Sequence, residues 1–458
     1  MLQINTHLKP ADLDESLVPL WALSAKKIRA MHEDPRHQTA TPVFTSGGRY
    51  QPQGWTEWTQ GFQFGCQILQ FDATGDETFL EMGRRNTLER MAPHLTHFGV
   101  HDHGFNNVST YGNLRRLMLE GRIDEDEREL QLYELALKVS GAVQAARWSE
   151  TSDGDGYIYS FNGPHSLFCD TIRSLRSLAI AHRLGHCMLD ENDEAISLLD
   201  RLLEHARSTA RYNVYYGEER DHYDVAGRVA HEAIFNVNDG NFRCPSTQQG
   251  YSPFTTWTRG LAWILTGYAE QLEFLATCGD TELVEAGGRD QNEQIMRRAA
   301  VAAAEFYIDN SPIDGIPYWD TGAPGLAQLG DYLDRPAEVD NPYEPVDSSA
   351  AAIASQGFLR LGHYLENDEP EQAARYLAAG LTILHRLLEP SYLSLDEDHQ
   401  GILLHALYHR PRGWDHTAAG KAVPQGESCL WGDYHLMEAA LLADRLASGK
   451  SYPTFFGP

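Results

Sequence analysis

The sequence predicts an all-α fold, a closed (α/α)6 barrel with short β or irregular loops over one face, on three observations. A rhythm of helix, short polar break and helix recurs along the chain. Strand patterns are scarce, and the helical pairs lack the fixed-period signature that open solenoids usually carry. A single barrel over residues 1–458 is expected, because no low-complexity tract or flexible linker divides the chain.

Leu13 to Met31 carries apolar residues at helical spacing, with Asp14 and Glu15 near its start and Lys26, Lys27 and Arg29 near its end, as the helix dipole favours. A Gly/Pro-rich stretch, SGGRYQPQG, reads as a loop before a second helix whose beginning holds Trp55 and Trp58. The break ATGDE leads to a third helix from about Thr78 to Met91. The same punctuation returns in RLMLEGRIDEDEREL, RLGHCMLDENDEAIS, FLATCGDTELVE and RLGHYLENDEPEQAA, where glycine or asparagine stops one helix and acids open the next. Strand candidates are Gly156 to Tyr159 and the aromatic-rich section between Tyr212 and Phe242. The aromatics of the proline-rich segment Pro312 to Pro345 argue for a packed loop near a pocket rim.

Composition excludes several functions. With 65 acids against 37 bases the net charge is −28, which opposes binding to a phosphate backbone, so nucleic acid is not an expected partner. An acidic substrate should therefore be small and met by a local cation. No apolar run approaches the roughly 18 residues that cross a bilayer, so no membrane association is expected. The N-terminus lacks a basic region followed by an apolar segment, which points to a cytoplasmic protein, or a periplasmic one if a leader has been trimmed. Six scattered cysteines without a C-x-x-C pair read as free thiols. Composition leaves the oligomeric state open.

The candidate chemistry lies where loops run into helices. Gln249 to Ala269 (QGYSPFTTWTRGLAWILTGYA) passes from a hydroxyl-rich loop into an apolar helix with Trp257, Arg259 and Trp263 near its start. A buried core helix would look similar, but flat aromatic walls around one cation at a helix N-terminus also suit an acidic sugar. Asp102 lies in HDHGF, where a glycine beside the acid suggests a carboxylate on a tight turn. His101 and His103 flank it, yet histidines at i and i+2 diverge and no third ligand is evident, so no metal and no other cofactor is expected. Asp170 opens a long helix as an N-cap or, in its apolar setting of Phe168, Cys169 and Ile172, as a carboxyl held protonated for general acid work. His231 and the Asp347 helix start have structural readings, a satisfied histidine and a cap. ESCLWGDY, from Glu427, opens the last helix.

These segments, in order, resemble the unsaturated glucuronyl hydrolases, glycoside hydrolase family 88. The likeness is carried by WTQGF at Trp58 and ATGDE, then HDHGF, the Asp170 helix, His231, QGYS at Gln249, WTRGLAW, DSSAAAIA and ESCLWGDY. The resemblance implies an (α/α)6 barrel that releases a 4,5-unsaturated uronic acid from the non-reducing end of lyase-generated oligosaccharides by hydrating a vinyl ether. It implies Asp170 as general acid and base, assisted by Asp102, with Trp58, His231, Gln249, Trp257, Arg259 and Trp263 binding the sugar. Arg259 would be the local cation. Two departures stand out: Leu261, where the family commonly has glutamine, and TIRS after Asp170. Both are expected to bear on which neighbouring sugar is accepted. The alternatives are an enzyme of the unsaturated rhamnogalacturonyl hydrolase type, an inverting glycosidase or epimerase on the same barrel, and a barrel that binds sugar without catalysis.

Overall fold

The computed structural model describes residues 1–53, 58–450 and 452–457, so Trp55 lies outside the described residues. The helices form two concentric rings. The inner ring holds Gln60–Thr74, the segmented run His103–Asn107, Val108–Gly112 and Asn113–Leu119, the pair Thr171–Ser174 and Arg176–Arg183, then Thr258–Thr277, Ser348–Leu365 and Leu430–Ser448. The outer ring holds Asp14–Glu33, Glu77–Arg90, Glu127–Ala145, Leu198–Tyr212, Arg289–Asn310 and Pro370–Leu387. The last inner helix packs on the first and closes the ring, giving the expected (α/α)6 barrel. Among the described residues no helix is long and apolar enough to cross a membrane.

Composition decides which helix goes to which ring. Leu198–Tyr212 buries Leu198, Leu199, Leu202, Leu203 and Ala206 and turns its other side outward, the pattern of a half-covered helix. In Ser348–Leu365 every residue from Ser348 to Gly362 is buried, so its alanines and serines face neighbours on all sides. Each large apolar side chain so enclosed contributes about 1.5–3 kcal/mol.

Small residues also set how closely the inner helices approach. A Cβ on Gly104 would lie 2.1 Å from the Ser174 carbonyl oxygen. The glycine of HDHGF therefore serves contact between two inner helices, inside a helix and not at a turn. That contact brings the segment before His103 against the segment before Thr171.

The strand candidates are real but small. Gly156–Ile158 pairs with Trp148–Glu150, and Glu232–Phe235 lies between Ser166–Phe168 and Phe242–Ser246. The stretch SGGRYQPQG is not simply a loop. It turns at Gly47 and Gly48, with φ of 59° and 74°, and pairs Thr41–Ser46 with Arg49–Gln53. Two consecutive positive φ values match the twist of a tight hairpin, and Pro52 is tolerated because the strand is an edge. Glu427 pins this hairpin by accepting from Thr45 Oγ1 at 2.5 Å and the Gly47 N–H at 2.8 Å. RLGHCMLDENDEAIS also exceeds a polar break, since Met188–Leu189 and Ala195–Ile196 pair within it.

The chain from Tyr452 to Gly457 covers the far end of the barrel. Phe455 and Phe456 are buried there, Phe456 packs 5.5 Å from the Phe274 ring, and Arg360 Nη2 donates to the Pro453 carbonyl at 3.2 Å.

Candidate active site

The loops that precede the inner helices meet at the open end of the barrel around a cavity of about 400 Å³. Asp102 and Asp170 stand at the N-cap positions of His103–Asn107 and Thr171–Ser174, and neither side chain caps its helix. Asp347, in the same position on Ser348–Leu365, does cap: it accepts the Ser349 N–H at 3.1 Å. Two carboxylates thus forgo a contact normally worth about 1 kcal/mol and turn toward one another.

His101 lies between them. Its Nε2 donates to Asp170 Oδ2 at 3.2 Å and lies 3.7 Å from Asp102 Oδ1. His103 points away, to Ser140 Oγ at 3.1 Å and the His97 carbonyl at 3.1 Å, as expected of histidines two apart. Gln144 and Ser174 both donate to the His101 carbonyl and fix this segment.

The charge states differ from expectation. Burial pushes the Asp170 carboxyl up, but the hydrogen bond and charge of His101, helped by the nearby His231 ring, outweigh it and leave Asp170 below the usual carboxylate range. Burial lowers His101, and the two carboxylates more than compensate, so the imidazole ends above its ordinary value. Asp102 rises, through burial first and its Asp170 neighbour, against the opposing pull of His101. In the resting site Asp170 is therefore the ionised partner of His101. Desolvation alone would have kept it protonated; a neighbouring base reverses the sign.

Trp58, Asp102, Asp170, Gln249, Trp257, Arg259 and Trp263 all line the cavity. His231 stands behind this lining, its ring packed on Phe168 and Trp257 at 4.4 and 4.7 Å, with Nε2 directed at Asp170 Oδ1 from 3.9 Å. Its Nδ1 accepts the Gln248 and Gln249 N–H groups at 3.1 and 3.3 Å, which places the hydrogen on Nε2. His231 is thus a neutral, fixed donor, in keeping with burial pushing its pKa down to about 4.

Arg259 is not a free cation. Nη1 donates to Asp347 Oδ2 at 2.6 Å and the Leu407 carbonyl at 2.7 Å, and Nη2 to Gln249 Oε1 at 2.9 Å and the Tyr408 carbonyl at 2.7 Å. With its charge met by Asp347, it positions the wall more than it attracts. Because it takes Gln249 Oε1, the amide N–H2 of Gln249 is left for the cavity. Positive potential also comes from the inner-helix N-termini that converge there.

Leu261 does not reach the cavity. It is 1% exposed within the apolar core, since two residues along a helix from Arg259 is about 200° around its axis. Within TIRS, Arg173 enters a buried ionic cluster below the cavity and Ser174 donates to the His101 carbonyl. The sequence reading did not identify Phe161, Phe168, Tyr408, His409, Arg412 and Trp414 as wall residues, or give His101 a part with Asp170. The signal for the wall was present in YHRPRGW, an aromatic and basic stretch broken by proline and glycine. The proline-rich Pro312–Pro345 segment backs the wall, with Asp320 accepting the Tyr251 N–H at 2.8 Å.

Donor atoms of His101, Asp102 and Asp170 lie within 4.8 Å of one another, near enough for a metal ion. The surrounding chemistry fits one poorly. A metal-bound histidine normally anchors its second nitrogen, and His101 Nδ1 has no partner among the described residues. His231, the nearest fourth group, carries hydrogen on the nitrogen that would have to coordinate. The arrangement suits a shared proton.

No family-wide sequence model matches the chain. It is similar to the unsaturated glucuronyl hydrolase of Bacillus sp. (strain GL1), 25% identical over 407 residues that cover 87% of this chain and 89% of the relative. It is also similar to the unsaturated chondroitin disaccharide hydrolase of Streptococcus pyogenes serotype M1, 24% identical over 436 residues, covering 93% and 91%. Among solved structures, an unsaturated glucuronyl hydrolase specific for heparin superposes with a TM-score of 0.71 at 18% identity, covering 96% of this chain and 100% of that one.

Proposed function

We propose that this chain is a glycoside hydrolase that releases a 4,5-unsaturated uronic acid from the non-reducing end of small acidic oligosaccharides left by polysaccharide lyases. The observation that carries the reading is the pair Asp102 and Asp170, two helix-start carboxylates that cap nothing, face one cavity and share His101. The names of the similar proteins support the unsaturated uronyl end as the common feature of the substrate.

In the proposed reaction Asp170 gives a proton to C4, forming a C4–H bond as the C4=C5 pair leaves an oxocarbenium ion across C5 and the ring oxygen. Water adds to C5 while Asp170, now a carboxylate, takes its proton. The resulting hemiketal opens and expels the neighbouring sugar. Asp102 binds ring hydroxyls and, as a second nearby charge, makes joint ionisation of the pair costly. Trp58, Trp257 and Trp263 offer flat walls and Gln249 its amide N–H2, while His231, behind the lining, supports the site by aiming its Nε2–H at Asp170. Arg259 holds Gln249 and the Tyr408 carbonyl in place for the substrate.

The test is spectroscopic. The purified chain should abolish the ultraviolet absorbance of unsaturated uronyl disaccharides and leave saturated glycosides untouched. Turnover of saturated sugars would replace this reading with an ordinary glycosidase. Binding across a panel of hyaluronan, chondroitin, heparin, xanthan and ulvan fragments without absorbance loss would leave a sugar-binding barrel.

A further inference from the structure

His101 lines the cavity on one side and is otherwise surrounded by titratable and aromatic groups. Asp102 follows it in the chain at 3.7 Å, and Asp170 faces it at 3.2 Å from the start of Thr171–Ser174. Arg147, after Glu127–Ala145, lies on another side with its guanidinium spent on the carbonyls of Phe98, Tyr159 and Ser160. His205 from Leu198–Tyr212 and His231, both pushed down by burial and neutral, are the remaining titratable neighbours, and the Phe161 and Phe168 rings lie 6.2 and 5.5 Å away.

These three histidines are not equivalent. His231 Nδ1 is held as an acceptor by two backbone N–H groups, and His205 Nδ1 accepts the Ile158 N–H at 3.0 Å. A second proton on either ring would break those bonds. No such bond constrains His101: its Nε2–H points at Asp170, and its Nδ1 has no partner among the described residues. Of the three, His101 alone can take up and release a proton without losing a backbone contact.

We propose that His101 is a positioning residue that stores the proton Asp170 delivers to substrate. At rest the pair is imidazolium and carboxylate. The proton on His101 Nε2 crosses to Asp170 Oδ2, leaving neutral His101 with hydrogen on Nδ1. Asp170 then passes its proton to C4, and the proton it recovers from water returns to His101 Nε2. One water is consumed, and both side chains end as they began. This rests on the vinyl-ether reading, yet its first test needs no substrate.

Val100–His101 is the only Val–His pair in the sequence, so paired labelling of valine carbonyl and histidine nitrogen identifies this residue by NMR. The His101 ring should be doubly protonated at neutral pH, with a midpoint above the ordinary 6.5, and Asp170→Asn should lower that midpoint. A ring that stays neutral from about pH 5 to 8 overturns the proposal. In kinetics, His101→Gln keeps an N–H for Asp170 but cannot titrate. Its kcat at neutral pH should fall about 100-fold and the alkaline limb of its pH profile should move to lower pH. An unchanged limb would assign the proton to Asp102 and sink the idea. A wild-type chain inactive on every unsaturated substrate would instead remove the proposed function and leave the NMR result to stand by itself.

Discussion

Asp170 and Arg173 are separated by a single helical turn, yet they belong to ionic clusters built on opposite terms. Below the cavity, Arg173, Arg176 and Arg360 meet Glu270, Glu273 and Glu438, three cations against three anions, all buried or nearly so. The contacts are close: Arg173 Nη2 to Glu438 Oε2 is 2.8 Å, Arg173 Nε to Glu270 Oε2 is 3.1 Å, and Arg360 Nη1 to Glu273 Oε2 is 2.9 Å. At the cavity, two carboxylates share one imidazole, Asp170 Oδ1 and His231 Nε2 have no hydrogen-bond partner among the described residues, and the separations reach 3.7 to 3.9 Å. A balanced buried cluster has nothing left to offer a ligand. The unbalanced one keeps a proton and several unused lone pairs, which is where chemistry can be done.

Substitution separates the two most sharply. Asp170→Asn should reduce turnover of an unsaturated disaccharide by 10²-fold or more while the thermal midpoint moves by only a few degrees. Full activity in that variant would remove Asp170 from its role. Arg173→Met should do the reverse, costing about 3–5 kcal/mol in denaturant unfolding because it leaves Glu270, Glu273 and Glu438 buried against only Arg176 and Arg360. A loss under 1 kcal/mol would mean the floor cluster does not hold the barrel together.

A pH series adds a finer distinction. Burial pushes Glu438 up, but Arg173 and Arg176 outweigh it and hold the carboxyl far below its ordinary 4.5. A carboxyl lowered on folding stabilises the fold above its unfolded value and loses that contribution as the pH falls. The urea midpoint should therefore drop below about pH 4.5, with a shallower slope in Glu438→Gln. Equal slopes would deny Glu438 a part in acid unfolding. The smallest effect belongs to Leu261→Met, which conserves volume in the core and should cost under about 1.5 kcal/mol with kcat/KM nearly unchanged. A large kinetic change there would bring Leu261 back to the substrate.

The barrel was legible because its signal is local and recurs along the chain: acids that open helices, glycine or asparagine that stops them, and helix-period apolar faces. The strands around Gly47 and Gly48 were missed because glycine and proline in composition look like loop, whereas two left-handed glycines in sequence make a hairpin. Of the site, Asp170, Trp257 and Arg259 stood out at helix starts and Asp102 beside a turn-like glycine, but only the family resemblance pointed to their joining one sugar pocket. The saturation of Arg259 was not legible, since it depends on carbonyls at Leu407 and Tyr408, which lie 148 and 149 residues further along the chain. The part of His101 depends on which of two neighbouring rings faces Asp170, a matter of backbone direction that HDHGF does not encode. Leu261 could have been placed correctly by helical phase alone.

The segment from Tyr452 to Gly457, with Phe455 and Phe456 seated under the floor cluster, makes the barrel a blind vessel. A polysaccharide cannot thread through it, and whatever enters must back out by the same mouth. On the proposed reaction such a vessel removes one terminal unit and then lets go, and the remainder, which no longer carries a C4=C5 bond, ceases to be a substrate. The enzyme would act once per unsaturated end, and its supply of substrate would be set by how many fresh unsaturated ends another enzyme makes.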